Sequence, residues 1–164
     1  MELLNEYFTP WIISNSVAIS ILICAILRPK LARLLFVLLF LWAFWLNYTT
    51  AQTSPNDYIE YAKFTPFHLY ADFINGWFKS HIVSMVTYIA IGQGLIAIGM
   101  MLKGWMVRLA CIGAILFFLA ISPLGIGSGF PFSLISIVSI YVILKKDDLN
   151  YTNYILKQAL KVSV

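Results

Sequence analysis

His81, Ser84, Tyr88 and Gly92 recur at intervals of three to four residues in an apolar stretch, with Trp77 one turn ahead of them. At 100° per residue the four project within an arc of roughly 80° on one helical face. An imidazole or a phenol can hydrogen-bond a carbonyl, histidine titrates near neutral pH, and glycine leaves room for a ring against the backbone. A quinone or a similar flat lipophile suits such a stripe, so Trp77, His81, Ser84, Tyr88 and Gly92 are the candidate ligand-binding residues. The same residues also suit a plainer role. His81 can reach water near an interface, and Ser84, Tyr88 and Gln93, which points away from the stripe, can bond neighbouring helices.

Other chemistry is thinly represented. Cys24 and Cys111 have no CxxC spacing and no nearby histidine or acid, so helix packing is expected of them in preference to a disulfide or a metal site. With His68 and His81 the only histidines, nothing in the spacing requires a haem. No Ser/His/acid set, Gly-rich phosphate loop or intramembrane acidic pair stands out, and no catalytic residue is assigned. Asn47-Tyr48-Thr49 matches a glycosylation sequon but lies against an apolar run.

These residues need elements to hold them, and composition says which. Hydrophobic residues make up 61 % of 164 positions and charged residues 11 %, with a mean hydropathy of +0.86. Soluble domains carry about 25 % charged residues, so the solvent implied is lipid. Unbroken apolar runs without a period of two predict membrane-crossing helices, since an open strand would leave its backbone groups unpaired in hydrocarbon. Five spans are expected, over about 11–27, 34–48, 80–102, 109–124 and 130–144. The second and fifth are short, and the fourth and fifth are separated only by the Gly/Ser/Pro-rich turn from Gly125 to Pro131.

Basic residues set the orientation, because loops kept in the cytoplasm collect Lys and Arg. Arg28, Lys30, Arg33, Lys103, Arg108, Lys145, Lys146, Lys157 and Lys161 fall on one side, which is nine of the eleven. The other side holds Lys63 and Lys79 with Glu2, Glu6, Asp57, Glu60 and Asp72, a net −3 against +7. The N-terminus is therefore expected outside and the C-terminus in the cytoplasm, as a multi-pass protein of the cell inner membrane. The overall charge of +4 is spread over membrane-flanking loops, which argues against a nucleic-acid partner. Trp11, Trp42, Trp45, Tyr48, Trp77, Trp105 and Tyr141 stand at span ends, where aromatic belts form.

Acidic Glu2 and Glu6 precede the first span, so no cleavable signal peptide is expected, and residues 1–164 are taken as a single membrane domain. The outer loop, 49–79, has Phe67, Tyr70, Phe73/Ile74 and Trp77/Phe78 at helical spacing, which predicts a short helix lying on the membrane surface. A similar amphipathic pattern follows Leu149 in the tail, 145–164, expected on the cytoplasmic surface.

Residues from about Arg33 to Leu144 resemble the DoxX-like family of small four-helix membrane proteins. The resemblance is carried by the run Arg33 to Ala43, by Ile91-Gly92-Gln93-Gly94-Leu95-Ile96-Ala97-Ile98-Gly99, and by Lys103-Gly104 with Arg108-Leu109-Ala110. It implies a four-helix core plus one N-terminal helix, and a role in or beside a quinone-linked redox complex. Gln93 stands where many relatives carry an acid, and Phe44 to Asn47 where they carry Gly and Lys, so no site residue is carried over. Gly76-Trp77-Phe78-Lys79-Ser80 ahead of Gln93 is similar to the sterol-isomerase-like EXPERA proteins. Their chemistry uses intramembrane carboxylates, which this chain lacks. Three roles follow as expectations: an accessory of a quinone-linked redox complex, a non-catalytic binder of a small lipophile, or a structural membrane subunit. The cofactor is left open, with a quinone the one that fits the stripe, and the partners are the bilayer and other membrane subunits.

Overall fold

The computed structural model describes the backbone of residues 2–147 and the side chains from residue 8 onward, so the tail pattern after Leu149 lies outside the described residues. The chain is all-α. Its helices are α1 (Glu2–Leu27), α2 (Pro29–Thr53), α3 (His68–Phe73), α4 (Ile82–Met101), α5 (Trp105–Ile121) and α6 (Phe132–Lys146). Short tight or wide turns of helix fill Pro55–Lys63, Ile74–Phe78 and Ser122–Ser128.

Four stretches, Phe8–Leu27, Pro29–Thr53, Ile82–Met101 and Trp105–Ser128, are long and apolar enough to cross a membrane. Only 22–28 % of their apolar windows is buried inside the protein, so most of this hydrocarbon faces outward. Leu27, Leu95 and Leu116 are each more than 60 % exposed. Contiguous apolar surface on that scale is what lipid, not water, stabilises.

Pro29 explains the sharp α1–α2 hairpin. A residue before proline is pushed out of the helical region, and proline at the first helical position forfeits no hydrogen bond. Arg28 accordingly sits at φ −143°, ψ 73°, alone between the two helices. α2 then runs past both ends of the expected 34–48 span.

The long helices close a ring in the order α1, α2, α4, α5, α6, with α2 also reaching α6. One end of the ring carries the α1–α2 and α4–α5 turns and the end of α6, here called the hairpin end. The opposite roof end carries residues 54–78 and the α5–α6 connection. The core gathers Phe36, Phe40, Met100, Val107, Phe118, Ile140 and Ile143. Cys111 is buried within it and Cys24 packs against it, both as free thiols.

Small residues bring the helices close. A Cβ on Gly99 would stand 2.8 Å from that of Ala110, which locks α4 against α5 toward the hairpin end. On α6, Ser133, Ser136 and Ser139 are all buried on one face, with Ser133 accepting or donating to Ser122 at 2.9 Å and Ser139 turned back to the Ile135 carbonyl. At the hairpin end, Arg33 Nη1 lies 2.8 Å from Asp147 Oδ2 with both side chains fully buried, and Lys146 donates to the Ile26 carbonyl at 3.1 Å.

Candidate functional site

α4 presents two unlike faces. His81 lies at its start, where its ring stacks on Trp77 at 4.3 Å and 17°. His81 Nδ1 is 2.8 Å from the Trp77 carbonyl, and since a carbonyl only accepts, Nδ1 carries the proton. Ser84 is exposed, and Tyr88 is 70 % exposed on the same outward face. A Cβ added to Gly92 would meet nothing within 4 Å. Trp77 and His81 are thus brought together, while Ser84, Tyr88 and Gly92 continue the stripe along the outside of the bundle. The helical phase that groups them is reproduced, but the face they share looks away from the bundle interior.

The inward face holds Gln93, only 2 % exposed. Asn47 of α2 donates from Nδ2 to Gln93 Oε1 at 2.9 Å, and the Tyr58 hydroxyl donates to Asn47 Oδ1 at 2.8 Å. Further toward the roof end, Gln52 reaches Thr87 at 3.3 Å across the same α2–α4 seam. Gln93 lies roughly 16 Å along the axis from the start of α4, a depth at which an amide must find a partner on another helix. Two carboxamides in separate apolar helices were the available signal for this contact. No pattern pointed to Tyr58, which arrives from the segment between helices.

Asn47 and Tyr58 border a cavity of about 690 Å³ at the roof end. α4 contributes Met85, Val86 and Ile89, α5 contributes Phe117, Ala120 and Ile121, and the roof contributes Tyr61, Leu69, Tyr70, Phe73, Ile74 and Phe78. Leu124, Gly127 and Ser128 complete it from the α5–α6 connection. None of Trp77, His81, Ser84, Tyr88 or Gly92 is part of its wall. The volume is within the range of small-molecule sites, and the pattern of apolar walls with a few convergent polar groups is the usual one.

The roof is held by close backbone approach. A Cβ on Gly127 would fall 2.7 Å from the Tyr61 ring, and one on Gly125 would fall 2.7 Å from the Phe64 carbonyl oxygen. Gly125 also takes φ +64°, a region open to glycine at little cost. Thr65 donates to the Pro123 carbonyl at 2.6 Å and Tyr70 to the Ala120 carbonyl at 3.2 Å. The helix expected within 67–78 is present as α3 and the following wide turn, and it borders the cavity.

Burial pushes the Tyr58 phenol up to about 12, helped by neighbouring Tyr61 and Asp57 and opposed by a hydrogen bond from Thr50. It therefore stays neutral over the physiological range and serves as a hydrogen-bonding group, not as a base. Among the described residues no group of three or more His, Cys, Asp or Glu comes together at metal-binding distance. No family model, curated protein or solved structure matches this chain.

Proposed function

We propose that the chain is an inner-membrane protein of five crossings, N-terminus outside and C-terminus in the cytoplasm, that holds a lipophilic molecule without transforming it. The roofed cavity between α4 and α5 carries this reading: aromatic and aliphatic walls with two convergent neutral polar groups, Asn47 and Tyr58. Its position at the roof end corresponds to the outer leaflet in the proposed orientation. α6 supports the fifth crossing, because it is tied to α1 near both ends. Asn15 donates to the Gly129 carbonyl at 3.1 Å at the roof end, and Lys146 meets Ile26 at the hairpin end. The basic residues Arg28, Lys30, Arg33, Lys103, Lys145 and Lys146 share that hairpin end, as the positive-inside tendency requires.

A DoxX-like accessory of a quinone-linked redox complex is a narrower form of the same proposal, in which the retained molecule is a quinone and the partners are other membrane subunits.

Two measurements test the reading. Mass spectrometry of the purified protein should find a lipophile beyond bulk phospholipid, lost when Ala120→Trp fills the cavity; equal retention by both proteins would exclude the cavity. For orientation, a membrane-impermeant maleimide should label Asp72→Cys and spare Lys103→Cys in intact cells, in a background with Cys24 and Cys111 replaced by Ala. The reverse pattern would invert the topology.

A further inference from the structure

We infer that the cavity takes an uncharged lipid with a flat ring, whose oxygen enters first to meet Asn47 and whose tail leaves between α4 and α5 into the bilayer. The inference rests on the binding role proposed above and narrows it to a ligand class and a pose.

Charge is decided by the wall. None of the seventeen described residues bordering the cavity is Asp, Glu, Lys, Arg or His. A carboxylate or phosphate placed there would lose its hydration without gaining a counter-ion, a cost that outweighs any packing gain. Fatty acids and phospholipid headgroups are disfavoured on that ground.

Shape is decided by the rings. Tyr58, Tyr61, Tyr70, Phe73, Phe78 and Phe117 border one space, from the roof, α3 and α5. Aromatic pairs in offset or edge geometry gain energy beyond that of the area they bury, a gain open to a flat π-system and not to a saturated chain.

The pose follows from where polarity and exposure lie. The hydroxyl protons of Tyr58, Tyr70 and Ser128 are committed to Asn47, the Ala120 carbonyl and the Gly125 carbonyl. The Asn47 amide nitrogen has two N–H bonds, and one serves Gln93, so a second is available to an acceptor oxygen. Asn47 is half-buried and bonded to the buried Gln93, whereas the wall residues that remain open are Ala120 with Leu69, Phe73 and Ile89, the last three at 79 %, 43 % and 37 % exposed. All four are apolar, so the mouth meets hydrocarbon. The ligand's polar end therefore points inward, the reverse of a bilayer lipid with its head at the surface.

The test uses the full chain in phosphatidylcholine nanodiscs and three probes: a prenylated naphthoquinone (neutral, flat, with carbonyls), farnesol (neutral, no ring) and oleate (anionic, no ring). Native mass spectrometry should show the naphthoquinone binding at least about tenfold tighter than either of the others, and at least about tenfold weaker in Asn47→Leu. Binding should vanish in Ala120→Trp. Should Asn47→Leu fail to fold, infrared spectroscopy of the wild-type complex reads the same contact, as a carbonyl stretch lowered relative to free probe in the bilayer. An unshifted stretch overturns the pose. Oleate or farnesol binding as tightly as the naphthoquinone, and blocked by Ala120→Trp, overturns the ligand class while the binding role stands. No binding by any probe removes both.

Discussion

Arg33 and Asp147 meet at 2.8 Å across the hairpin end, the first near the start of α2 and the second just past the end of α6, with no exposed side-chain surface on either. A buried pair of this kind is costly to break and cheap to replace, because the charge left behind by a single change has no hydration. Arg33→Met or Asp147→Leu alone is expected to destabilise by about 3–5 kcal/mol, and the double replacement to recover most of it. Thermal unfolding in detergent measures this. A double variant no better than the singles would show that the pair contributes more than mutual neutralisation.

Gly127 and Gly92 offer a matched contrast. Gly127→Ala drives a Cβ into the Tyr61 ring and should loosen the roof, at a cost of about 1–3 kcal/mol and with faster proteolysis in 54–67. Gly92→Ala enters open space on a helix, where alanine is favoured over glycine by about 1 kcal/mol, so its melting temperature should be unchanged or slightly raised. Equal melting temperatures for the two variants would mean that the roof is not held by the Gly127 approach.

The helices were largely legible, and the differences have a common physical cause. A charge-free apolar stretch predicts the second span over 34–48, starting after Arg33, yet the helix spans Pro29–Thr53. Each end continues where polar side chains find partners: Arg33 with Asp147, Asn47 with Gln93, and Gln52 with Thr87. Hydropathy counts such residues as breaks, whereas the folded chain treats them as joints. Helical phase correctly separated Gln93 from His81, Ser84, Tyr88 and Gly92, but phase alone does not say which face is inside. The cavity was not legible, since its walls come from α2, α4, α5 and the roof, and no local spacing in any one of them encodes the others.

Gln93→Leu should leave the Asn47 amide short of an acceptor and cost about 1–3 kcal/mol. Asn47→Leu combined with Gln93→Leu should cost less than the sum of the single changes, because the two groups satisfy each other. Strict additivity in a double-mutant cycle would argue that the 2.9 Å contact contributes little.

The Tyr58 phenol gives a pH signature. Its folded value, about 12, exceeds the ordinary value near 10, so the folded state keeps its proton while the unfolded chain loses it. Stability from this group is complete below pH 10 and falls as pH rises from about 10 to 12. Melting temperature measured across that window should drop more steeply for the wild type than for Tyr58→Phe, and absorbance near 295 nm should show one tyrosine titrating late. Parallel pH profiles for the two proteins would contradict this.

The distance along the chain between Arg33 and Asp147 also has a meaning in time. Arg33 is made roughly 114 residues before its counter-ion, and at about 5–20 residues per second that is an interval of about 6–23 s. Throughout it the α1–α2 hairpin exists with a cation whose final neighbour has not left the ribosome. Docking of Asp147 then closes the ring at its hairpin end, so the buried start of α2 reaches its final surroundings only after α6 has been made.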